Sequence, residues 1–158
     1  MCMETLVRRI RRIFSTKKNN GTTAARPARQ PSFPRRMERL EKALAAYVEN
    51  RAWREPVRTV GEASDRLGTD TRTLHRYFQD RMGVDFRTWR TRLRLEDAKR
   101  LLAENPALQP AVAARLTGFS NRSNFSRQFL AYTGMTPAAW QREARASHDV
   151  RAPKNDYV

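Results

Sequence analysis

Leu74-His75-Arg76-Tyr77-Phe78-Gln79-Asp80-Arg81-Met82-Gly83-Val84-Asp85-Phe86-Arg87-Thr88-Trp89 is followed, 51 residues on, by Phe125-Ser126-Arg127-Gln128-Phe129-Leu130-Ala131-Tyr132-Thr133-Gly134-Met135-Thr136-Pro137-Ala138-Ala139-Trp140. Leu74, Arg76, Phe78, Gly83 and Trp89 thus reappear as Phe125, Arg127, Phe129, Gly134 and Trp140. Five chemically matched positions, in one order and at one offset, predict two copies of a single supersecondary unit.

Each copy has the same local grammar. Asp70 and Ser120 are candidate helix caps, each shortly after a glycine, Gly68 or Gly118, that suits a tight turn. The helix that follows carries its apolar stripe at Leu74 and Phe78, or at Phe125 and Phe129, and Gly83 or Gly134 suits the left-handed position that ends it. Asp85 and Thr136 can cap the next helix, with Pro137 tolerated at a first helical position. Upstream, Val60, Ala63 and Leu67 predict a short helix before the Gly68 turn. Helix, tight turn and helix is the arrangement whose second helix enters the DNA major groove.

Between the copies, Phe86 to Glu104 holds Phe86, Trp89, Leu93, Ala98, Leu101 and Leu102 with no internal Pro or Gly. It predicts one connector helix of roughly 28 Å. Major-groove faces recur every ~34 Å along a duplex, so this rod could set two recognition helices about one turn apart. Ahead of the repeat, Met37, Leu40, Leu44, Tyr47 and Val48 predict a helix from Arg36 to Trp53, closed by Pro56.

The fold class is therefore all-α: two helix-turn-helix subdomains joined by a long connector, about seven helices in all. Residues 1–35 read as a basic, largely disordered tail, with Met3, Leu6, Val7, Ile10, Ile13 and Phe14 at helical spacing over 3–14. The double helix-turn-helix domain spans 36–146, with its first unit at 57–85, the connector at 86–104 and the second unit at 108–146. Residues 147–158 form a flexible C-terminal tail.

Charge narrows the partners. The 158 residues carry 32 Lys plus Arg against 16 Asp plus Glu, a net charge of +16. A polyanion is the partner that neutralises such a chain, nucleic acid first and an anionic membrane surface second. Half of the excess lies in residues 1–35, where nine basic residues face Glu4 alone. That segment could lie on a membrane, on DNA or in a partner's groove, or stay a frayed tail. Cys2 is the only cysteine, and His75 and His148 are the only histidines, so disulfide, cysteine-zinc and redox chemistry are not expected, nor is a metal or other cofactor. No run of about 18 apolar residues would span a membrane, and no secretory signal is evident. A reducing, cytoplasmic setting is expected.

Arg94-Leu95-Glu96-Asp97-Ala98-Lys99-Arg100-Leu101-Leu102, Gly118-Phe119-Ser120-Asn121-Arg122-Ser123-Asn124-Phe125-Ser126-Arg127-Gln128-Phe129 and Tyr132-Thr133-Gly134-Met135-Thr136-Pro137 together resemble the DNA-binding domain of the AraC/XylS family of bacterial regulators, over roughly residues 38–143. The resemblance implies sequence-specific duplex binding as a transcription regulator, with RNA polymerase as a partner. Residues 1–35 do not supply the larger ligand-binding region of sensor-bearing members, so the chain resembles the short members and no small-molecule effector is evident. Two features depart from the pattern: Ala113-Ala114 stands where a branched apolar residue then alanine is usual, and Thr117 precedes Gly118. Read from Val112 and Leu116 instead, that helix looks normal but carries one extra residue before the turn.

With Leu74 and Phe78 inward, Arg72, His75, Arg76 and Gln79 fall on the outer face of the first recognition helix. Arginine can fork onto guanine and glutamine onto adenine. The second unit offers Arg122, Ser123, Ser126 and Arg127, with Asn121 and Asn124 placed for capping or phosphate contact. Trp53, Trp89 and Trp140 read as core rather than as stacking platforms. No nucleophile, phosphate-loop or metal-ligand pattern supports an enzyme. The competing class is a non-specific nucleic-acid-binding or architectural protein driven by charge alone.

Overall fold

The computed structural model describes residues 33–57 and 59–149, and seven α-helices lie among them, with no strand. They are α1 (Phe33–Glu49), α2 (Val60–Arg66), α3 (Thr71–Tyr77), α4 (Phe86–Glu104), α5 (Pro110–Leu116), α6 (Arg122–Thr133) and α7 (Pro137–Asp149). The amphipathic segment expected at 3–14 and residues 150–158 lie outside the described residues. The helical bounds move both tail boundaries, because 33–35 and 147–149 belong to α1 and α7. Pro34 is tolerated there because a first-turn residue needs no N–H donor. None of the described helices is long and apolar enough to cross a membrane.

The described residues form two compact units, one of 33–52 and 56–90, the other of 53–55 and 91–149. In the first, α1 buries Leu40, Leu44 and Tyr47, one face at three- and four-residue steps. This helix stops at Glu49, short of the expected Trp53. Arg51 then takes a left-handed conformation (φ 53°), and Ala52–Arg54 form a 3₁₀ turn. The reason lies in burial: Trp53 is 2% exposed and belongs to the other unit, so the chain must leave the helix before it.

Thr59 caps α2 by accepting from the Glu62 N–H at 3.1 Å. Asp70 caps α3 by accepting from the Thr73 N–H at 2.8 Å and its hydroxyl at 2.7 Å. A wider π-helical turn, Phe78–Met82, prolongs α3 and ends at Gly83. Asp85 accepts from the Thr88 N–H at 2.6 Å and starts α4. The floor of this unit is aromatic. The Phe78 ring lies 5.5 Å from Phe86 and 5.3 Å from Trp89, and Tyr47 is 5.9 Å from both. Such pairs contribute about 0.5–1.5 kcal/mol each beyond their buried area.

The second unit is built on Leu95, Ala98, Leu102, Ala113, Ala114, Phe119, Phe125 and Phe129, with Leu108, Tyr132 and Trp140 packed against them. Ala113 and Ala114 are the residues α5 buries, while Leu116 is 48% exposed, so the register read from Val112 and Leu116 is not the one adopted. Thr117 is fully buried yet satisfied, its hydroxyl donating to the carbonyl of Ala113 at 2.8 Å or Ala114 at 3.1 Å. The extra residue lies after Gly118, not before the turn. Leu67, Gly68 and Thr69 donate to the carbonyls of Ala63, Asp65 and Ser64, and Thr117, Gly118 and Phe119 donate to those of Ala113, Arg115 and Ala114, an offset of 50. Past the turn the offset is 51, and the cap of α6 is consequently Asn121 rather than Ser120, accepting from the Asn124 N–H at 2.9 Å.

Candidate nucleic-acid interface

Each unit holds its second helix in the same way: a short support helix, a turn through a left-handed glycine, and a capped helix with two inward aromatic or aliphatic side chains. Leu74 is fully buried and Phe78 nearly so, and Phe125 and Phe129 are both fully buried. In the first unit the turn is also tied across, since the Ser64 and Thr71 hydroxyls lie 3.0 Å apart. A helix anchored along one side presents the other side as a fixed surface.

That surface carries the expected residues. Arg72, His75, Arg76 and Gln79 are all exposed, although Gln79 falls in the π-helical turn instead of on α3 proper. Arg76 is not loose: its guanidinium carbon stands 4.5 Å from the centroid of the Phe33 ring, and Nε is 3.4 Å from an Asp80 carboxylate oxygen. In the second unit Asn121, Arg122, Ser123 and Arg127 are exposed, whereas Asn124 and Ser126 are half-buried. Asn124 is occupied within its helix. Its Oδ1 accepts from Gln128 at 2.8 Å and from Arg127 at 3.3 Å.

Two further residues join these faces. Leu130 is 46% exposed, four residues beyond Ser126, and the 51-residue offset pairs it with Gln79. The repeat itself was the signal that could have found it. Arg87, on α4, lines a recess of about 150 Å³ with His75, Val60, Leu74, Asp85 and Phe86. Only tertiary packing brings Arg87 beside His75, so no local pattern points to it.

Other cations are committed to structure. Asp97 is 1% exposed and takes Arg54 at 2.6 Å and Arg100 at 3.1 Å. Arg94 donates to the carbonyls of Trp53 at 2.6 Å and Glu55 at 3.1 Å. Lys99 pairs with Glu96 at 3.1 Å and lies 5.0 Å from the Trp140 ring centroid. Trp140 donates to the Lys99 carbonyl at 3.2 Å, and Tyr132 donates to Glu96 at 2.8 Å. Hydrogen bonds also set the acidic caps: the Thr73 hydroxyl and N–H hold the Asp70 carboxyl below its ordinary range, and the Thr88 N–H does so for Asp85.

A helix-turn-helix domain family matches residues 63–143, which takes in α3, α4, α5 and α6 whole. The chain belongs to the AraC/XylS family of DNA-binding transcription regulators. Among the curated relatives, the HTH-type transcriptional regulator RipA of Corynebacterium glutamicum is 33% identical over 113 residues, covering 71% of this chain and 33% of RipA. The transcriptional activator RhaS of Pectobacterium carotovorum is 30% identical over 103 residues, covering 65% of this chain and 36% of RhaS. The chain thus spans about a third of the length of these curated relatives. A solved structure of a probable AraC family transcriptional regulator from Rhodopseudomonas palustris superposes with a TM-score of 0.55 at 26% identity, covering 70% of this chain and 97% of that one.

Proposed function

We propose that this AraC/XylS-family chain reads duplex DNA sequence-specifically at bacterial promoters, with α3 and α6 entering two adjacent major-groove segments. One observation carries the reading: the two helix-turn-helix units present unlike faces, Arg72, His75, Arg76 and Gln79 on one and Arg122, Ser123, Ser126, Arg127 and Leu130 on the other. Unlike faces suit an asymmetric site read by one molecule. Arginines offer forked donors to guanine, Gln79 can pair with adenine, and Leu130 offers an apolar contact for a thymine methyl group. Asn121 and Asn124, engaged in capping and intrahelical bonds, serve to hold α6 and to meet phosphate.

RNA polymerase is the partner that family membership implies, and contact with it would turn binding into activation, the activity stated in the name of RhaS. The work is binding, without catalysis or cofactor, and its place is the nucleoid. The net charge of +16 favours a second reading, a non-specific nucleic-acid-binding or architectural protein. Selection of bound duplexes from a random pool at physiological salt separates the two. A recovered asymmetric motif with two short blocks supports the proposal, and a pool that returns no motif overturns it.

A further inference from the structure

We infer that Phe33 is a positioning residue for base reading: its ring is the shelf on which Arg76, tethered also by Asp80, is held ready for a guanine. This rests on the proposed role of α3 as a recognition helix. Phe33 opens α1, 43 residues before Arg76 in the chain, yet the guanidinium carbon lies 4.5 Å from its ring centroid. That is well inside cation–π range. Asp80, four residues beyond Arg76, takes Nε at 3.4 Å, which keeps the carboxylate off the two terminal nitrogens that a bidentate contact to guanine can use.

Each restraint is weak alone. The Asp80 contact is long, and the two side chains are 62% and 55% exposed. Acting on one planar group from two elements, they reduce the rotamer freedom that an arginine must otherwise surrender on meeting a base. Phe33 is 36% exposed, so burial of the ring in a core does not explain its position. Arg127, the matched residue of the second unit, is held differently: Ala131 stands in the place of Asp80, and the tether is Asn124 at 3.3 Å. The two units share a framework but restrain their matched arginines by separate means.

The test uses the full chain and the duplex recovered by selection, with the base pair identified whose preference Arg76→Ala abolishes. Discrimination at that pair is measured for Phe33→Leu, which keeps bulk without a π face, and for Phe33→Tyr, which keeps the ring. Phe33→Leu is expected to lower discrimination roughly two- to five-fold, Phe33→Tyr to preserve it, and affinity for random duplex to stay unchanged in both. Asp80→Asn, on an exposed surface, gives the same reading should Phe33→Leu fail to fold, and is expected to lower discrimination while raising affinity for any duplex. Loss of discrimination by Phe33→Leu and Phe33→Tyr alike, full retention by a folded Phe33→Leu, or full retention by Asp80→Asn where Phe33→Leu does not fold, overturns the inference while leaving α3 as a reader. Unchanged discrimination in Arg76→Ala removes the base-reading assignment as well, and is distinguishable from either.

Discussion

At Gly118 two requirements meet on one residue. Its φ is +87°, and a Cβ there would stand 2.4 Å from the Arg54 carbonyl oxygen and 2.8 Å from an Arg94 nitrogen. Gly68, at the matching turn with φ +61°, has nothing within 4 Å of the same position. Gly68→Ala should therefore cost only the left-handed backbone term, about 1–2 kcal/mol. Gly118→Ala adds overpacking against backbone and should reach about 2–4 kcal/mol. Chemical denaturation of the two variants checks the difference, and equal losses would contradict the close approach. On the recognition faces, Arg76→Ala and Arg127→Ala should each cost about 1–3 kcal/mol on the selected site and relax preference at one pair. Titration against specific and random duplexes tests this. Equal losses on both would reduce either arginine to a phosphate contact.

At the scale of elements, the helix starts decide how firmly α3 is presented. Asp70→Ala should destabilise the first unit by about 1 kcal/mol, whereas Asp70→Asn keeps a cap. The pH dependence has a definite sign. Because the folded Asp70 carboxyl is held below its ordinary range, first by the Thr73 hydroxyl and then by its N–H, its contribution is present above the ordinary carboxylate value near ~4 and is lost as pH falls through the lowered one. Asp70→Asn should accordingly flatten the acid limb of the stability curve, measured by thermal melting from neutral pH down to strongly acidic buffer. An unchanged slope would deny the carboxylate that role.

The helices themselves were largely legible from periodicity, capping residues and the 51-residue repeat. The support helix α5 was not, for two physical reasons. A buried Thr117 looks wrong for a core until its hydroxyl is seen to bond back to the Ala113 and Ala114 carbonyls. The repeat also changes register inside the turn, so an offset of 51 misaligns α2 with α5, whereas an offset of 50 moves the cap from Asn121 to Ser120. The end of α1 was hidden as well, because what stops it is the burial of Trp53 among residues far along the chain. Which polar residues face outward on α3 and α6 followed from helical spacing, but the approach of Arg87 to His75 and of Phe33 to Arg76 depends on tertiary packing.

Over the whole molecule, charge is divided between uses. Arg54, Arg94, Lys99 and Arg100 are spent inside the second unit, while Arg72, Arg76, Arg122 and Arg127 stay exposed on α3 and α6. The first 35 residues add nine further basic residues against Glu4 alone. Replacing Arg8, Arg9, Arg11 and Arg12 by glutamine should weaken binding to all duplexes alike and flatten the plot of log affinity against log salt by up to about 0.9 per phosphate contact removed. A change confined to the selected site would instead make that segment a reader.

The strap at residues 53–55 has a consequence for how the chain can be cut. The second unit claims Trp53 and Arg54 before the first unit has contributed α2 and α3, so the two are interleaved along the sequence rather than consecutive. A fragment beginning at Thr91 would lack the indole and one of the two guanidinium partners of a carboxylate that is 1% exposed. Such a fragment should be poorly folded by circular dichroism, and a co-expressed peptide covering residues 50–57 should restore part of its helix. No single scission in the sequence separates the two units, so the roles of α3 and α6 are better dissected by substitution than by truncation.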